Sequence, residues 1–199
     1  MAASKNFVVE QGKTFSQVLR WETTPYVYKA ISAITNAAPC RVTSSLHGIP
    51  EGWRVAVVSV KGMTDINAAN TPPKDKDYHA VHVVDANTVE FNDINSSDFK
   101  VYTSGGYLQF YTPVDLSGFT ARMAVKDKVG DTVLVTLTTE NGGITLDTVN
   151  KKITLTISAT DTAAFSWKTG VYDLEMVSPA GVVTALVSGK VTVTQEVTT

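Results

Sequence analysis

Few residues in this chain are equipped to do chemistry. Its three histidines are His47, His79 and His82, and its one cysteine is Cys40. A lone cysteine forms no intrachain disulfide and supplies no paired-thiolate zinc or redox site. Cys40 reads as a small buried strand residue. His79 and His82 stand three positions apart in a run with strand character, which points them to opposite faces and keeps them from sharing a metal. His47 precedes Gly48 in a turn, where an imidazole bonds backbone more often than zinc. Asp65, Asp75, Asp77 and Asp85 could offer oxygen to calcium, but their spacing lacks the alternating ligands and closing glutamate of a compact calcium loop. They read as solvated or turn-capping carboxylates. Asp93 and Asp98, flanking Asn95-Ser96-Ser97, read as turn chemistry too.

The nucleophiles are no better organised. No serine lies in a Gly-x-Ser-x-Gly elbow, and nothing marks a base and orienting acid for any of them. Ser104-Gly105-Gly106 precedes a strand and not a helix, so it is no phosphate loop and reads as a hairpin turn. Asn141-Gly142-Gly143 is a turn that supplies positive φ. Trp21, Trp53 and Trp167, with Tyr26, Tyr28 and Tyr111, could form a sugar-stacking platform. Trp21 alternates with core positions, which leaves Trp53 and Trp167, beside turns, as the better stacking candidates against a packing role over the end of a β-core. No catalytic, metal-ligating or cofactor-binding residue is assigned, no cofactor is expected, and the chain is read as a binding protein and not an enzyme.

The elements that carry these residues are strands. Val and Thr are abundant, and apolar residues alternate with polar ones far more often than they recur at helical spacing. In Lys151-Lys152-Ile153-Thr154-Leu155-Thr156-Ile157 the aliphatic residues share one face and the threonines the other. Similar runs fall at 120–125, 132–137, 170–177 and 189–193, between turns such as Val129-Gly130-Asp131 and Pro179-Ala180-Gly181; a spacing of roughly ten residues suits a sandwich. Residues 158–164 give one helical turn, with Ser158 or Thr160 able to cap it, crossing between two sheets. Phe7-Val8-Val9 and the run from Phe15 to Trp21 form an opening hairpin around Gln11-Gly12-Lys13, which must join a sheet supplied by the carboxy-terminal half. Between them, strand signals at 40–43, 54–60, 78–84, 88–91 and 107–111 suffice for a small barrel. Residues 70–77, Asn-Thr-Pro-Pro-Lys-Asp-Lys-Asp, read as an exposed loop.

Composition narrows the function. The chain has 199 residues, 43% hydrophobic and 18% charged, which predicts ordered structure nearly throughout. A net charge of -2 and a pI near 5.9 supply no broad positive field for a phosphate backbone, which argues against nucleic-acid binding. The first residues lack an apolar signal core, and no stretch approaches the roughly 18 apolar residues of a membrane span, so residence in a cytoplasm and no membrane partner are expected.

Val114-Asp115-Leu116-Ser117-Gly118-Phe119-Thr120-Ala121-Arg122-Met123, then 139–144 (Thr-Glu-Asn-Gly-Gly-Ile) and Tyr172-Asp173-Leu174-Glu175, resemble the immunoglobulin-like domain of phage tail and baseplate proteins, typified by the upper-baseplate-protein N-terminal domain. That domain opens with a segment like 7–15, here displaced by almost a hundred residues, as an insertion would do. The segments 45–53, 62–67 and 84–91, followed by Tyr102 to Gly106, resemble the β-barrel named after the first catalytic-cysteine half-domain of ubiquitin-activating enzymes, a scaffold without a catalytic cysteine of its own. In this chain 68–77 lengthens the connection after Asn67. The resemblances imply an all-β chain in which 1–25 and 113–199 form a discontinuous immunoglobulin-like β-sandwich and 26–112 an inserted small β-barrel. They also imply a non-catalytic virion structural protein, made in the host cytoplasm. It would be a tail component, as baseplate, tail tip, fibre anchor or head-to-tail joint, that docks on other phage structural proteins as a symmetric homo-oligomer. The alternatives are a capsid decoration protein and a carbohydrate-binding receptor-recognition module.

Overall fold

The computed structural model describes residues 2–196, and they are nearly all β. Residues 1–21 and 115–199 form one compact unit and 22–114 a second. The opening segment supplies β1 (Ala3–Ser4), β2 (Phe7–Glu10) and β3 (Phe15–Leu19). The middle supplies β4 (Glu22–Ala30), β5 (Ala33–Ile34), β6 (Cys40–Thr43), β7 (Arg54–Lys61), β8 (His79–Ala80), β9 (His82–Asp85), β10 (Thr88–Phe91) and β11 (Ser104–Pro113). The last stretch supplies β12 (Thr120–Lys126), β13 (Val133–Thr138), β14 (Ile144–Asp147), β15 (Lys152–Ile157), the short helix α1 (Ala159–Ala163), β16 (Thr169–Val177) and β17 (Val183–Thr194). None of the helices among these residues is long and apolar enough to cross a membrane.

The discontinuous unit is a two-sheet sandwich. Its larger sheet runs β1-β17-β16-β12-β13, with β2 also on β17, and its smaller sheet runs β14-β15-β3. In β15 the burial pattern follows the sequence alternation, with Ile153, Leu155 and Ile157 buried. Each such side chain contributes roughly 1.5–3 kcal/mol of burial, and a slip of one residue would put threonines there instead, so the register is firmly set. The two opening strands do not form the expected hairpin. β2 pairs in parallel with β17, Phe7 opposite Val191, while β3 pairs antiparallel with β15, Phe15 opposite Ile157. The turn at Gly12, with φ of +72°, carries the chain from one sheet to the other, and the Phe7 and Phe15 rings meet edge-on at 5.6 Å in the core. The helix α1 also crosses between the sheets. Ser158 caps it, its Oγ accepting from the Asp161 N–H at 3.1 Å, and buried Thr162 donates to the Lys13 carbonyl at 2.8 Å.

The inserted unit is not a closed barrel. Among the described residues its ladders run as two four-stranded sheets, β5-β6-β10-β9 and β4-β11-β7-β8. The chain passes from one sheet to the other four times, and two of these passages, between β4 and β5 and between β8 and β9, are tight corners. At the first corner Ile31 N–H donates to Gly106 O (3.0 Å) and Ser32 N–H to Thr43 O (2.9 Å). At the second, Val81 N–H donates to Trp53 O (3.0 Å), and its side chain is buried. Such corners let two inner faces close on one core without curling every strand, as in orthogonally packed sheets. Trp53, Phe91, Leu108 and Phe110 fill that core.

Candidate binding surface

The outer face of the β4-β11-β7 sheet is unusually rich in tyrosine and amide. Along β11 the alternation sends Leu108 and Phe110 into the core, so Tyr107, Gln109 and Tyr111 face outward. Register sets their neighbours: Tyr111 lies opposite Tyr26, and Gln109 lies between Tyr28 on β4 and Ala56 on β7. The loop at 68–78 folds back over part of this face. Under it Ala56 is 0% and Gln109 3% exposed although both point away from the core, and Gln109 Nε2 donates to the Tyr78 hydroxyl at 2.9 Å. Burial pushes the Tyr78 phenol up to about 12. The Tyr26 and Tyr111 hydroxyls are hydrogen-bonded at 3.1 Å, and this hydrogen bond is the main cause raising Tyr111 above the usual phenol range.

One carboxylate folds the loop. Asp77 accepts from the Lys74 N–H at 2.8 Å and from Asn70 Nδ2 at 2.8 and 3.2 Å. The Lys74 hydrogen bond is the leading cause holding its carboxyl below the usual range. At the base Ala68 N–H donates to Val57 O (2.7 Å), and Asn67 bridges the N–H and C=O of Val60. Arg54 Nη2 and Nε donate to the Glu22 carboxylate at 2.7 and 3.2 Å, with the guanidinium 5.9 Å from the Tyr78 ring centre. Between loop and sheet runs an open groove of about 590 Å³ with no charged side chain in its lining. Tyr28, Val58 and Ser59 form its floor side, and Asn70, Pro72 and Pro73 its loop side.

The structure brings few of the residues singled out above together. Trp53 is 0% exposed, its indole N–H donating to Tyr111 O at 3.0 Å, so it offers no stacking face. Trp21 packs edge-on to Phe119 and Trp167 lies against Phe165, both half-buried and both in the other unit. Of the aromatic set only Tyr28 keeps an open face, beside Tyr107 at 6.2 Å, with 53% and 45% exposure. His79 and His82 flank the corner at Val81 and take separate partners, Asp93 at 2.6 Å and Glu51 at 3.2 Å. His47 is buried, its Nδ1 accepting from Ile49 N–H (3.0 Å), which places the proton on Nε2 for Asp85 O (2.9 Å). Among the described residues no three His, Cys, Asp or Glu side chains are grouped to hold a metal.

Of the other acidic positions, Asp85 accepts from Asn87 N–H as a turn cap, Asp75 lies 3.7 Å from Arg54, and Asp65 and Asp98 are exposed. Asp77 is a turn-capping carboxylate, accepting from Lys74 N–H, and it is buried inside the loop it closes. Cys40 is buried in β6, where desolvation pushes its thiol up. Ser104-Gly105-Gly106 is not a hairpin turn: it is the start of β11, with Gly105 paired to Val60. A Cβ on Gly106 would stand 2.4 Å from Val60, and Ser59 opposite has φ of +61°, so the glycines accommodate a local distortion of the ladder. Two polar residues carry no local sign of their burial. Ser96 sits fully buried, its Oγ within 2.6 Å of Thr35 O and 3.0 Å of Ala37 O, and Gln109 reads in sequence as one polar residue in an aromatic strand.

No family model matches the chain, and no curated protein matches it either.

Proposed function

We propose that this protein is a non-catalytic structural component of a tailed bacteriophage particle, placed in the tail as a baseplate, tip, fibre-anchoring or joining subunit. The observation that supports this most is the interruption of one unit by another. Residues 1–21 and 115–199 share a pair of sheets, as the resemblance of 7–15 and 114–123 to a single immunoglobulin-like domain requires, and 22–114 leaves that unit and returns to it. The outgoing and returning chains are paired, Glu22 opposite Pro113 and Thr23 opposite Thr112. Such a chain works by rigid placement: copies dock on one another and on other phage subunits in a symmetric ring, and hold a neighbour in position without turnover.

Negative-stain microscopy of particles produced without the gene tests this. Absent or incomplete tails, with immunogold label on the tail in wild-type particles, are the expected result. Normal, fully infectious tails would refute it, and label confined to the head surface would replace it with capsid decoration.

A further inference from the structure

We propose that the groove between the 68–78 loop and the outer face of β4, β11 and β7 binds a neutral saccharide, with the ring of Tyr28 as its stacking face. This goes beyond a structural role and stands apart from it. The groove of about 590 Å³ falls within the roughly 300–1,000 Å³ range of small-ligand sites. Its lining carries no charge, so it supplies no cation for a phosphate or sulfate and no carboxylate for an amine. The lining is not an apolar trough either. The Asn70 amide and the Ser59 and Thr71 hydroxyls intersperse with Tyr28, Val58, Pro72 and Pro73. A lipid chain would desolvate those polar groups without replacing their hydrogen bonds. A pyranose presents an apolar C–H face to a ring and hydroxyls at its rim, which matches a half-open tyrosine bordered by the Asn70 amide and the Ser59 and Thr71 hydroxyls.

The groove is held in shape by the protein's own hydrogen bonds. Asp77, through Lys74 and Asn70, holds the loop closed, and Tyr78 on Gln109 fastens its end to the sheet. Little ordering remains for binding to offset. Tyr28 is held at one edge by Tyr107 and by its place opposite Gln109, and its outer face stays accessible.

The test is titration of the full chain with neutral oligosaccharides of glucose, galactose, mannose and N-acetylglucosamine, read by saturation-transfer NMR and calorimetry. At least one should bind with a Kd of about 1 mM or tighter, and its affinity should not fall between about 0.05 and 0.5 M salt. Tyr28→Ala should weaken it about tenfold or more, and Tyr28→Phe, which keeps the ring, by no more than about threefold. Tyr28→Arg, equally exposed but without the ring, should behave as the alanine variant. Circular dichroism should be unchanged in all three, because the side chain is on the surface. Absence of saturation by every sugar at about 10 mM would overturn the proposal, as would full affinity in Tyr28→Ala or binding restricted to charged glycans. Loss of subunit assembly in Tyr28→Ala with no sugar bound by wild type would make this a protein-docking face, which also overturns it.

Discussion

The carbonyl oxygen of Lys5 lies so close over Gly189 that a Cβ added to the glycine would stand 1.9 Å from it. Gly189 does not adopt a left-handed φ, so its lack of a side chain is needed for this approach and not for a turn. Here the opening chain passes from β1 to β2 along β17, with Lys5 N–H donating to Ser188 O at 3.0 Å and Lys190 N–H to Asn6 Oδ1 at 2.9 Å. Gly189→Ala must push that segment off the sheet. Overpacking against backbone costs about 1–3 kcal/mol. Urea unfolding should show that loss, and amide exchange should speed up first in β1 and β2. An unchanged midpoint with unchanged exchange would mean the opening strands are not held at Gly189.

Tyr172 donates to the same Lys5 carbonyl at 2.8 Å, and burial pushes its phenol up to about 12, as for Tyr78. For a phenol whose folded pKa lies above its unfolded value near 10, the neutral form is favoured in the fold. The stabilisation is then complete below pH 10 and is lost as pH rises toward 12. Absorbance titration at alkaline pH should show Tyr78 and Tyr172 as two of its late-ionising components, Tyr111 being the third, and unfolding should set in as the buried pair ionises. Tyr78→Phe and Tyr172→Phe should each remove one late component. Retention of all three late components in either variant would contradict the burial that the structure gives that ring.

Asp77 has the opposite sign. Its carboxyl is held below the usual 3.8, so its contribution to the loop is present above that value and fades as pH falls through the lower folded pKa. Asp77→Asn keeps the shape but loses charge-assisted acceptance from Lys74 and Asn70, and the loop should loosen at neutral pH as wild type does in acid. The readout is the Tyr78 titration. Once the loop opens, its ionisation should move down toward 10. A Tyr78 that still ionises near 12 in Asp77→Asn would show that the loop stays closed without the carboxylate.

Much of the fold was legible because period-2 burial leaves a direct trace in residue type. Ile153, Leu155 and Ile157 announce β15, and Cys40 to Thr43 and Thr88 to Phe91 coincide with β6 and β10. β4 was not legible: Glu22 to Ala30 shows no clean alternation in burial, because its outer face carries tyrosines and the loop covers part of that sheet. The run 78–84 gave one strand where there are two, since the corner at Val81 is made by backbone bonds to Gly52 and Trp53 that have no local signature. The candidate site was harder still. Tyr28 is visible as an aromatic, but its open face depends on the register that sets it in β4 opposite Gln109 and on where the 68–78 loop lies. Gln109 has no local signature because its burial comes from Tyr78, which is 31 residues away in sequence.

Asn141 makes the remaining test, at the free edge of β13. Thr139 N–H donates back to Ala121 O at 3.0 Å, so the N–H of Thr138 and the C=O of Thr136 point outward, where another strand could pair. The Asn141 amide occupies both: Oδ1 accepts from Thr138 N–H at 2.8 Å and Nδ2 donates to Thr136 O at 3.0 Å. It also accepts from Gly143 N–H at 2.9 Å, tying the edge to its own turn. Asn141→Ala should cost about 1 kcal/mol for the lost hydrogen bonds. It should also uncover a strand edge, so sedimentation velocity over a concentration series should show more self-association than wild type. Asn141→Asp keeps the acceptor and loses the donor, and should fall between the two. If the alanine variant matched wild type in both stability and association, water would be serving these edge groups as well as the amide does, and the side chain would have no protective role.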